Sequence, residues 1–572
     1  MKKNEEFELK ITDLSDEGAG IGRTSETGPD DSGAGFIWFV KDALIGDRVL
    51  AAATKVKKNY GFARLVRVLE PSPDRVQPLC QEARRCGGCQ IQQMEYAAQL
   101  KFKEDKVWND LVRIGGFDPR QFVRTDREII KHAEGQILFE PIIGMEEPWR
   151  YRNKAVYPIG RDRDGSLIAG FYAGRTHSII SCSDCMLGPE ENREILQCIL
   201  DHMERHRISP YDETTHTGVV RHVLLRQGVH TGELMVCLVI NADGLKTARE
   251  LGVKLQEAFP ALRSFSLCVN KERTNVIMGT RIIQIVGPGY IEEEIQGVRF
   301  RISPLSFFQV NSLQMERLYG TALEFAGLTG KEIVWDLYCG VGTISLFLAG
   351  HAKKVYGVEI IPAAIENAKE NAALNGLTNA VFYTGAAEEV LPRWYEEQKA
   401  SDVDVIVVDP PRKGCDIRCL ETMVAIAPSR IVYVSCDPAT LARDLKYLCG
   451  QGYMLQRVRP CDMFPHTVHV ETVCALSKLS EAKHHISVQV DMDELDLTAA
   501  ESKATYEEIQ AWVKEKYGFH VTHLNIAKTK RKCGITERIN YNLPKSENSK
   551  SPGTPKEKEE AIIDAFRHFQ MI

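Results

Sequence analysis

Residues 405–414, VIVVDPPRKG, and residues 431–444, IVYVSCDPATLARD, decide how this chain is read. Each opens on a short β-branched run, Val405 to Val408 and Ile431 to Val434. Each run stops at chemistry: Asp409 before two prolines, and Cys436 before Asp437 and Pro438. A β-branched run closed by proline marks a buried strand halting at the edge of a parallel sheet, because proline cannot continue the ladder. In open α/β sheets that carboxyl edge is where ligands sit. One acid and one thiol are therefore expected to arrive together at a ligand edge.

Upstream, residues 332–349, EIVWDLYCGVGTISLFLA, read as strand, glycine turn and helix. Gly340 and Gly342 in that turn let the backbone approach a ligand closely. The turn lacks the Gly-Lys-Ser/Thr that cradles phosphates, so the fold suits S-adenosylmethionine better than a nucleoside triphosphate. Residues 353–359, KKVYGVE, form a second strand ending in Glu359, where such folds hold ribose hydroxyls. Before the turn, Asn311 is a good N-cap for the helical pattern of residues 312–327. Residues 380–385, 453–464 and 468–478 complete a sheet of about seven strands with helical spacers.

The 572 residues allow three or four domains, and 44% hydrophobic with 26% charged residues permit a sizeable core. A net charge of −6 neither favours nor disfavours nucleic acid. The sequence has no stretch of ~18 consecutive apolar residues, so no membrane span is expected. The start carries no signal-peptide pattern, and sixteen cysteines then imply a reducing, cytoplasmic setting with free thiols.

Residues 1–72 alternate in short runs punctuated by Gly18, Gly20 and Gly22, which suits a small antiparallel barrel of the oligonucleotide-binding kind. Lys55, Lys57, Lys58, Tyr60, Phe62 and Arg64 interleave cations with aromatics, either as a single-strand platform or as a solvated face. Cys80, Cys86 and Cys89, with two glycines between the last pair, imply a metal. Structural zinc sites usually arrive as two short pairs; three close thiols plus one remote suit an iron–sulfur cluster better, with zinc the alternative. Residues 178–191 offer Cys182 or Cys185 as the fourth ligand. A helix is expected within residues 93–115, then strands from Pro148 to about Gly287, where residues 150–154, RYRNK, are either surface or RNA-facing. His216, His222 and His230 have no ligand spacing and are read as structural. Residues 481–572 read as an appended module: a helix, a strand, a basic run (Lys528, Lys530, Arg531, Lys532), a flexible link over 544–560 and a final helix.

Five motifs stand in order: FFQVN at 307–311, DLYCGVG at 336–342, DPPR at 409–412, SCDP at 435–438 and HVE at 469–471. Together they resemble the RNA (uracil-5-)-methyltransferase family over roughly residues 1–480, and the N-terminal segment resembles the RNA-binding TRAM domain. The barrel with the cysteine cluster points to the 23S ribosomal RNA branch, since the transfer RNA branch typically lacks both. The resemblance implies S-adenosylmethionine held by Gln309, Tyr338, Glu359 and Asp409, a nucleophile at Cys436 and a base at Glu471. It implies a [4Fe–4S] cluster on Cys80, Cys86, Cys89 and Cys185. Thr343 departs from the asparagine some members carry in the turn.

The expected architecture is thus multi-domain. It comprises a TRAM/OB-like β-barrel (1–72), a central α+β domain with the cluster (73–92 and 116–288), a Rossmann-like seven-stranded methyltransferase domain (93–115 and 289–480) and the appended module (481–572). The expected partner is RNA, with 23S ribosomal RNA favoured, and a monomer is expected without an obligate protein partner. A transfer RNA uracil-5-methyltransferase and a non-catalytic RNA-binding protein with a relic methyltransferase domain are the alternatives. An amino-group methyltransferase generally prefers an aromatic where Arg412 stands and has no use for Cys436.

Overall fold

The computed structural model describes residues 2–24, 35–124, 135–174, 176–398, 403–479, 506–533 and 555–569. Residues up to 480 form one compact unit and residues 481–572 a second.

The first unit opens with a closed five-stranded barrel, Glu6–Leu14, Gly20–Thr24, Phe36–Lys41, Arg48–Val56 and Tyr60–Glu70. Trp38, 1% exposed, fills it with Leu9, Ile11, Val40 and Val49. Gly61 has no side chain because the Trp38 ring lies where its Cβ would be. Next comes a mixed seven-stranded sheet in the order Ile179–Ser181, Leu167–Tyr172, Lys154–Arg161, Val220–Gln227, Leu234–Ile240, Leu262–Val269 and Arg281–Val286. Helices Asn192–Arg205 and Ala248–Ala258 bury Ile195, Ile199, Leu251 and Leu255 against it.

The second large sheet runs Ala380–Thr384, Lys354–Glu359, Ile333–Leu337, Val405–Val408, Arg430–Ser435, Glu471–Lys478, Tyr453–Cys461, Ile137–Phe139 and Phe122–Arg124. Its first five strands are parallel, and Glu471–Lys478 enters antiparallel. The β-branched runs are buried on both faces, as parallel strands require. Val405, Val407, Val432 and Val434 pack under helix Ser312–Ala326. Ile406, Val408, Ile431 and Tyr433 pack on the opposite face with Leu441 and Leu445 of helix Pro438–Gly450. Helix Tyr96–Arg113 joins that face through Val107 and Leu111.

The sheet has nine strands rather than the seven expected. Phe122–Arg124 and Ile137–Phe139, placed by sequence in the central domain, instead extend its far edge beside Tyr453–Cys461. They are three residues each, too short to carry a legible period, and the cover of Trp108 over Phe122 and Phe139 is a tertiary effect.

The C-terminal unit is helical, with Tyr506–Tyr517, His523–Lys532 and Lys556–His568 closing on Ile509, Val513, Val521, Ile526, Ile562 and Phe566. The expected strand is absent among the described residues. Thr522 and Asn525 cap each other instead, so the basic run lies inside a helix. Most of the proposed flexible link falls outside the described residues.

Gly357, on strand Lys354–Glu359, has Phe382 at 2.6 Å and Cys339 Sγ at 3.0 Å from where a Cβ would stand. Gly357→Ala is expected to lower stability by ~1–3 kcal/mol through overpacking beneath the glycine turn. Urea unfolding of the two proteins measures it, and equal midpoints would contradict the packing described.

Candidate active site

Strand register builds the site. Leu337 pairs with Val358 on one side and Val408 on the other, and Val408 pairs with Tyr433. The strands therefore end in step, and the next residues out, Tyr338, Glu359 and Asp409, stand side by side at the carboxyl edge. On the neighbouring antiparallel pair, Ser435 lies opposite Thr472. Continued by one residue, that pairing sets Cys436 opposite Glu471. Gln309, in the segment that leads into helix Ser312–Ala326, reaches Tyr319, which also faces Asp409 and Glu471.

The turn after Leu337 is held in left-handed backbone at Tyr338 (φ 69°), Gly340 (φ 56°) and Gly342 (φ 82°), the last capping helix Thr343–Ala349. Nothing lies within 4 Å of where a Gly340 Cβ would stand, so a ligand can approach the backbone there. Glu359 accepts from Gly340 N at 3.3 Å and Ile361 N at 3.0 Å, which fixes its carboxylate across the mouth of the turn. Phe307, Ile360 and Ile361 are 68%, 65% and 56% exposed, an apolar rim unlike the buried aliphatics elsewhere in this sheet. Asp336 is fully buried; its Oδ2 accepts from Ser345 Oγ at 2.5 Å, and its Oδ1 has no partner among the described residues. These features fit an adenosyl group: hydroxyl acceptors, bare backbone and apolar surface together.

The acids are poorly solvated. Burial raises Asp409 to about 7, and burial together with the hydrogen bond and nearby acids leaves Asp336 at about 7. Burial, then Asp409, pushes Glu471 up to about 8, against a smaller downward pull from Arg412. Burial, then Glu471 and Asp409, lifts the Cys436 thiol to about 12, again opposed by Arg412. Cys436 opens helix Pro438–Gly450, whose N-cap Asp437 accepts from Ala439 N and Thr440 N at 3.1 and 3.0 Å. Cys339, Cys461 and Cys474 are buried thiols of the core, and Cys449 is half-buried at its margin.

The second constellation is a cavity of about 780 Å³ lined by Cys80, Cys86, Cys89, Cys182 and Cys185 with Gly87, Gly88 and Gly174. Cys86 Sγ accepts from Gly88 N at 3.4 Å. Backbone N–H groups of Leu187 and Gly188 face Cys185, and burial raises Cys89 to about 12. A hydrogen bond with Cys182 draws Cys80 down to about 6 and pushes Cys182 up. Thiols converging on one cavity, with amide dipoles turned toward sulfur, fit a thiolate-bound metal centre. Both Cys182 and Cys185 reach it.

Residues 150–154 are mostly structural. Arg150 donates to Asp184 Oδ1 at 2.6 Å and to the Cys185 and Gly188 carbonyls at 2.9 and 3.0 Å. Asn153 donates to Gln309 O at 2.8 Å and to Ser312 Oγ at 3.0 Å, tying the cysteine side of the molecule to the Gln309 segment. Sequence reading missed both roles, because a run of arginine and lysine gives no hint of intramolecular partners. On the barrel, Tyr60 meets Phe39 and Phe62 edge-on at 5.8 and 5.6 Å, and the Phe39 and Phe62 rings lie 5.5 Å apart. Arg64 is exposed on the strand of Tyr60 and Phe62, Lys55 on the neighbouring strand Arg48–Val56, and Lys57 in the turn between the two. His222 is buried, and His230 pairs with Glu293 and Glu316. No described helix is long and apolar enough to cross a membrane.

A doubly wound sheet with one antiparallel strand inserted after five parallel ones, a glycine turn without a phosphate-cradling lysine and acids at its carboxyl edge fits a methyltransferase. Residues 279–479 match the tRNA (Uracil-5-)-methyltransferase family model and residues 2–66 the TRAM domain. The uncharacterized RNA methyltransferase of Halalkalibacterium halodurans is 46% identical over 476 residues, 83% of this chain and 98% of that protein. One from Clostridium acetobutylicum is 42% identical over 481 residues, 84% of this chain and 99% of its own length. The crystal structure of Pyrococcus abyssi tRNA (uracil-54, C5)-methyltransferase with S-adenosyl-L-homocysteine is similar at a TM-score of 0.63 and 28% identity, covering 82% of this chain and 99% of that one. The chain belongs to the RNA uracil-5-methyltransferase family, and its methyl donor is S-adenosylmethionine.

Glu471 carries a pH signature. Its folded value, about 8, lies above the ordinary glutamate value of ~4.3. Between those values the folded protein keeps a proton that the unfolded chain releases, so stability falls as pH rises through that window. Glu471→Gln should flatten this part of the fall and leave the variant more stable than the parent above pH ~8, with the advantage gone below pH ~4. Urea titrations across pH check it; parallel curves would rule it out.

Proposed function

We propose that this protein transfers a methyl group from S-adenosylmethionine to C5 of uridine in RNA through a covalent bond between Cys436 and uracil C6. The observation that carries this reading is the register that sets Cys436 opposite Glu471 at the edge shared with Asp409. Uracil C5 is too weak a nucleophile to displace a methyl from sulfonium. When the Cys436 thiolate adds to C6, the π electrons move to C5 and O4, and C5 becomes enolate-like. S-adenosylmethionine supplies the electrophilic methyl. Glu471 as carboxylate then removes the C5 proton, the C5–C6 double bond re-forms, and the thiolate leaves. The same carboxylate returns to its starting state when it gives up that proton.

Gln309, Tyr338, Glu359 and Asp409 are assigned to the cofactor. Burial raises Asp409, Glu471 and Cys436, and a sulfonium seated beside them would favour the charged form of all three. The cysteine centre is assigned to a [4Fe–4S] cluster on Cys80, Cys86, Cys89 and Cys185. The barrel, with its aromatic trio and cations, is assigned to single-stranded RNA, and the target base to a loop from which it can be flipped at little cost.

The substrate is read as 23S ribosomal RNA, from the pairing of a barrel with a cysteine centre. Transfer RNA is the second reading. The Pyrococcus enzyme, which acts on transfer RNA, aligns with 82% of this chain, a share that matching residues 279–572 alone cannot reach. A counterpart of the N-terminal half is therefore compatible with either substrate.

Cys436→Ala is expected to abolish both turnover and the covalent adduct with 5-fluorouridine RNA. Glu471→Gln should slow turnover ~10²–10⁴-fold while adduct with natural RNA accumulates. Denaturing gels of labelled RNA read both, and full turnover by the alanine variant would end the covalent reading. Mapping 5-methyluridine in ribosomal and transfer RNA from cells lacking the gene separates the two substrates. Anaerobically purified protein should absorb in the visible; a colourless preparation with stoichiometric zinc would overturn the cluster assignment.

A further inference from the structure

Residues 462–470 connect strand Tyr453–Cys461 to strand Glu471–Lys478 and so deliver Glu471 to the edge. His466, in the middle of that loop, is 3% exposed and held at a φ of 67°, a left-handed conformation that most residues avoid. Its polar atoms are all engaged. The backbone N–H donates to Gln99 Oε1 at 2.9 Å, and the carbonyl accepts from both Gln90 N and Ile91 N at 3.1 Å. On the ring, Nδ1 meets Gln99 Nε2 at 3.2 Å and Nε2 meets Pro148 O at 3.1 Å. The ring itself stacks on Trp149 at 3.8 Å.

These partners leave one tautomer. Gln99 Nε2 also donates to Met94 O at 2.8 Å, while its Oε1 accepts from His466 N, so the amide cannot be turned over. An amide nitrogen only donates, so Nδ1 accepts and Nε2 carries the hydrogen that goes to Pro148 O. The neutral ring is thus locked by complementary partners on both nitrogens.

The segments His466 ties are those that carry the thiols. Gln90 and Ile91 directly follow Cys89. Pro148 and Trp149 directly precede Arg150, whose guanidinium holds the Cys185 carbonyl, and Tyr151 donates to Pro465 O at 3.1 Å. From the other side, the buried Lys103 binds Asp462 Oδ1 at 2.5 Å and Phe464 O at 3.0 Å, with Tyr96 on Asp462 Oδ2 at 2.9 Å.

We propose that His466 is a positioning residue that locks the loop bearing Glu471 to both halves of the cysteine centre, so that order at the thiols and placement of the base are one structural state. The inference rests on the reading of Glu471 as the base. Loosening this lock mislocates the carboxylate without touching the surface that recognises RNA. Turnover falls and RNA affinity does not.

The test uses full-length, metal-loaded protein and three variants: His466→Ala; Gln99→Leu, which removes two of the partners from outside the loop; and His466→Gln, whose amide can still donate to Pro148 O. Hydrogen exchange at residues 462–470 should rise roughly tenfold or more in His466→Ala and Gln99→Leu and less in His466→Gln. In the first two, kcat should drop ~10–100-fold with KM within ~3-fold, the signature of a misplaced group rather than lost binding. Anaerobic chelation of the metal from the parent protein should raise exchange in the same residues, and add little in His466→Ala. Unchanged exchange in both His466→Ala and Gln99→Leu, or chelation that leaves residues 462–470 as protected as before, overturns the proposal. If His466→Ala does not fold, Gln99→Leu decides on the same readouts. Normal turnover by Glu471→Gln would instead remove the base assignment, a failure the exchange data distinguish from failure of the lock.

Discussion

The antiparallel pairing of Arg430–Ser435 with Glu471–Lys478 is the constraint on which the site depends. Side chains alternate faces along a strand, so a slip of one residue would turn Cys436 and Glu471 to opposite sides. The register is held by more than its own hydrogen bonds. Val432, Val434, Val473 and Ala475 belong to the core on one face, and Ile431, Tyr433, Cys474 and Leu476 to the core on the other. Exchanging the two sets would unpack both faces at once. Core packing and the geometry of thiol and carboxylate are the same requirement.

The edge that results is unusual in its electrostatics. Asp336, Asp409 and Glu471 are placed where water reaches poorly, and Asp409 makes Asp336 and Glu471 harder still to ionise. Arg412 opposes this only in part. Such an arrangement costs stability in the free protein and is the kind of strain that functional sites retain.

Much of this was legible from sequence because the decisive signals are local. Proline after a β-branched run marks a strand end, and glycines before a helical pattern mark a turn, so residues 336–342 and 405–409 could be placed on a sheet edge. Asn311 caps its helix as its residue type suggested, accepting from Gln314 N at 3.2 Å. What sequence could not give is long-range pairing of weakly patterned pieces. Phe122–Arg124 and Ile137–Phe139 found their places only through the sheet they extend. Arg150 and Asn153 looked like a basic surface and are internal ties. In the C-terminal unit a strand was expected between the first helix and the basic run, and mutual capping by Thr522 and Asn525 with burial of Ile526 in the core of Phe566 made a helix there.

The crowding of acids at this edge bears on how a catalytic cycle closes. On the proposed reading, methyl transfer turns a sulfonium into an uncharged thioether. Before transfer the negative field favours the donor's sulfonium; afterwards the sulfur carries no charge for it to grip. The spent molecule is thereby disfavoured by the very groups that recruited its precursor, and exchange for a fresh donor is built into the charge of the pocket.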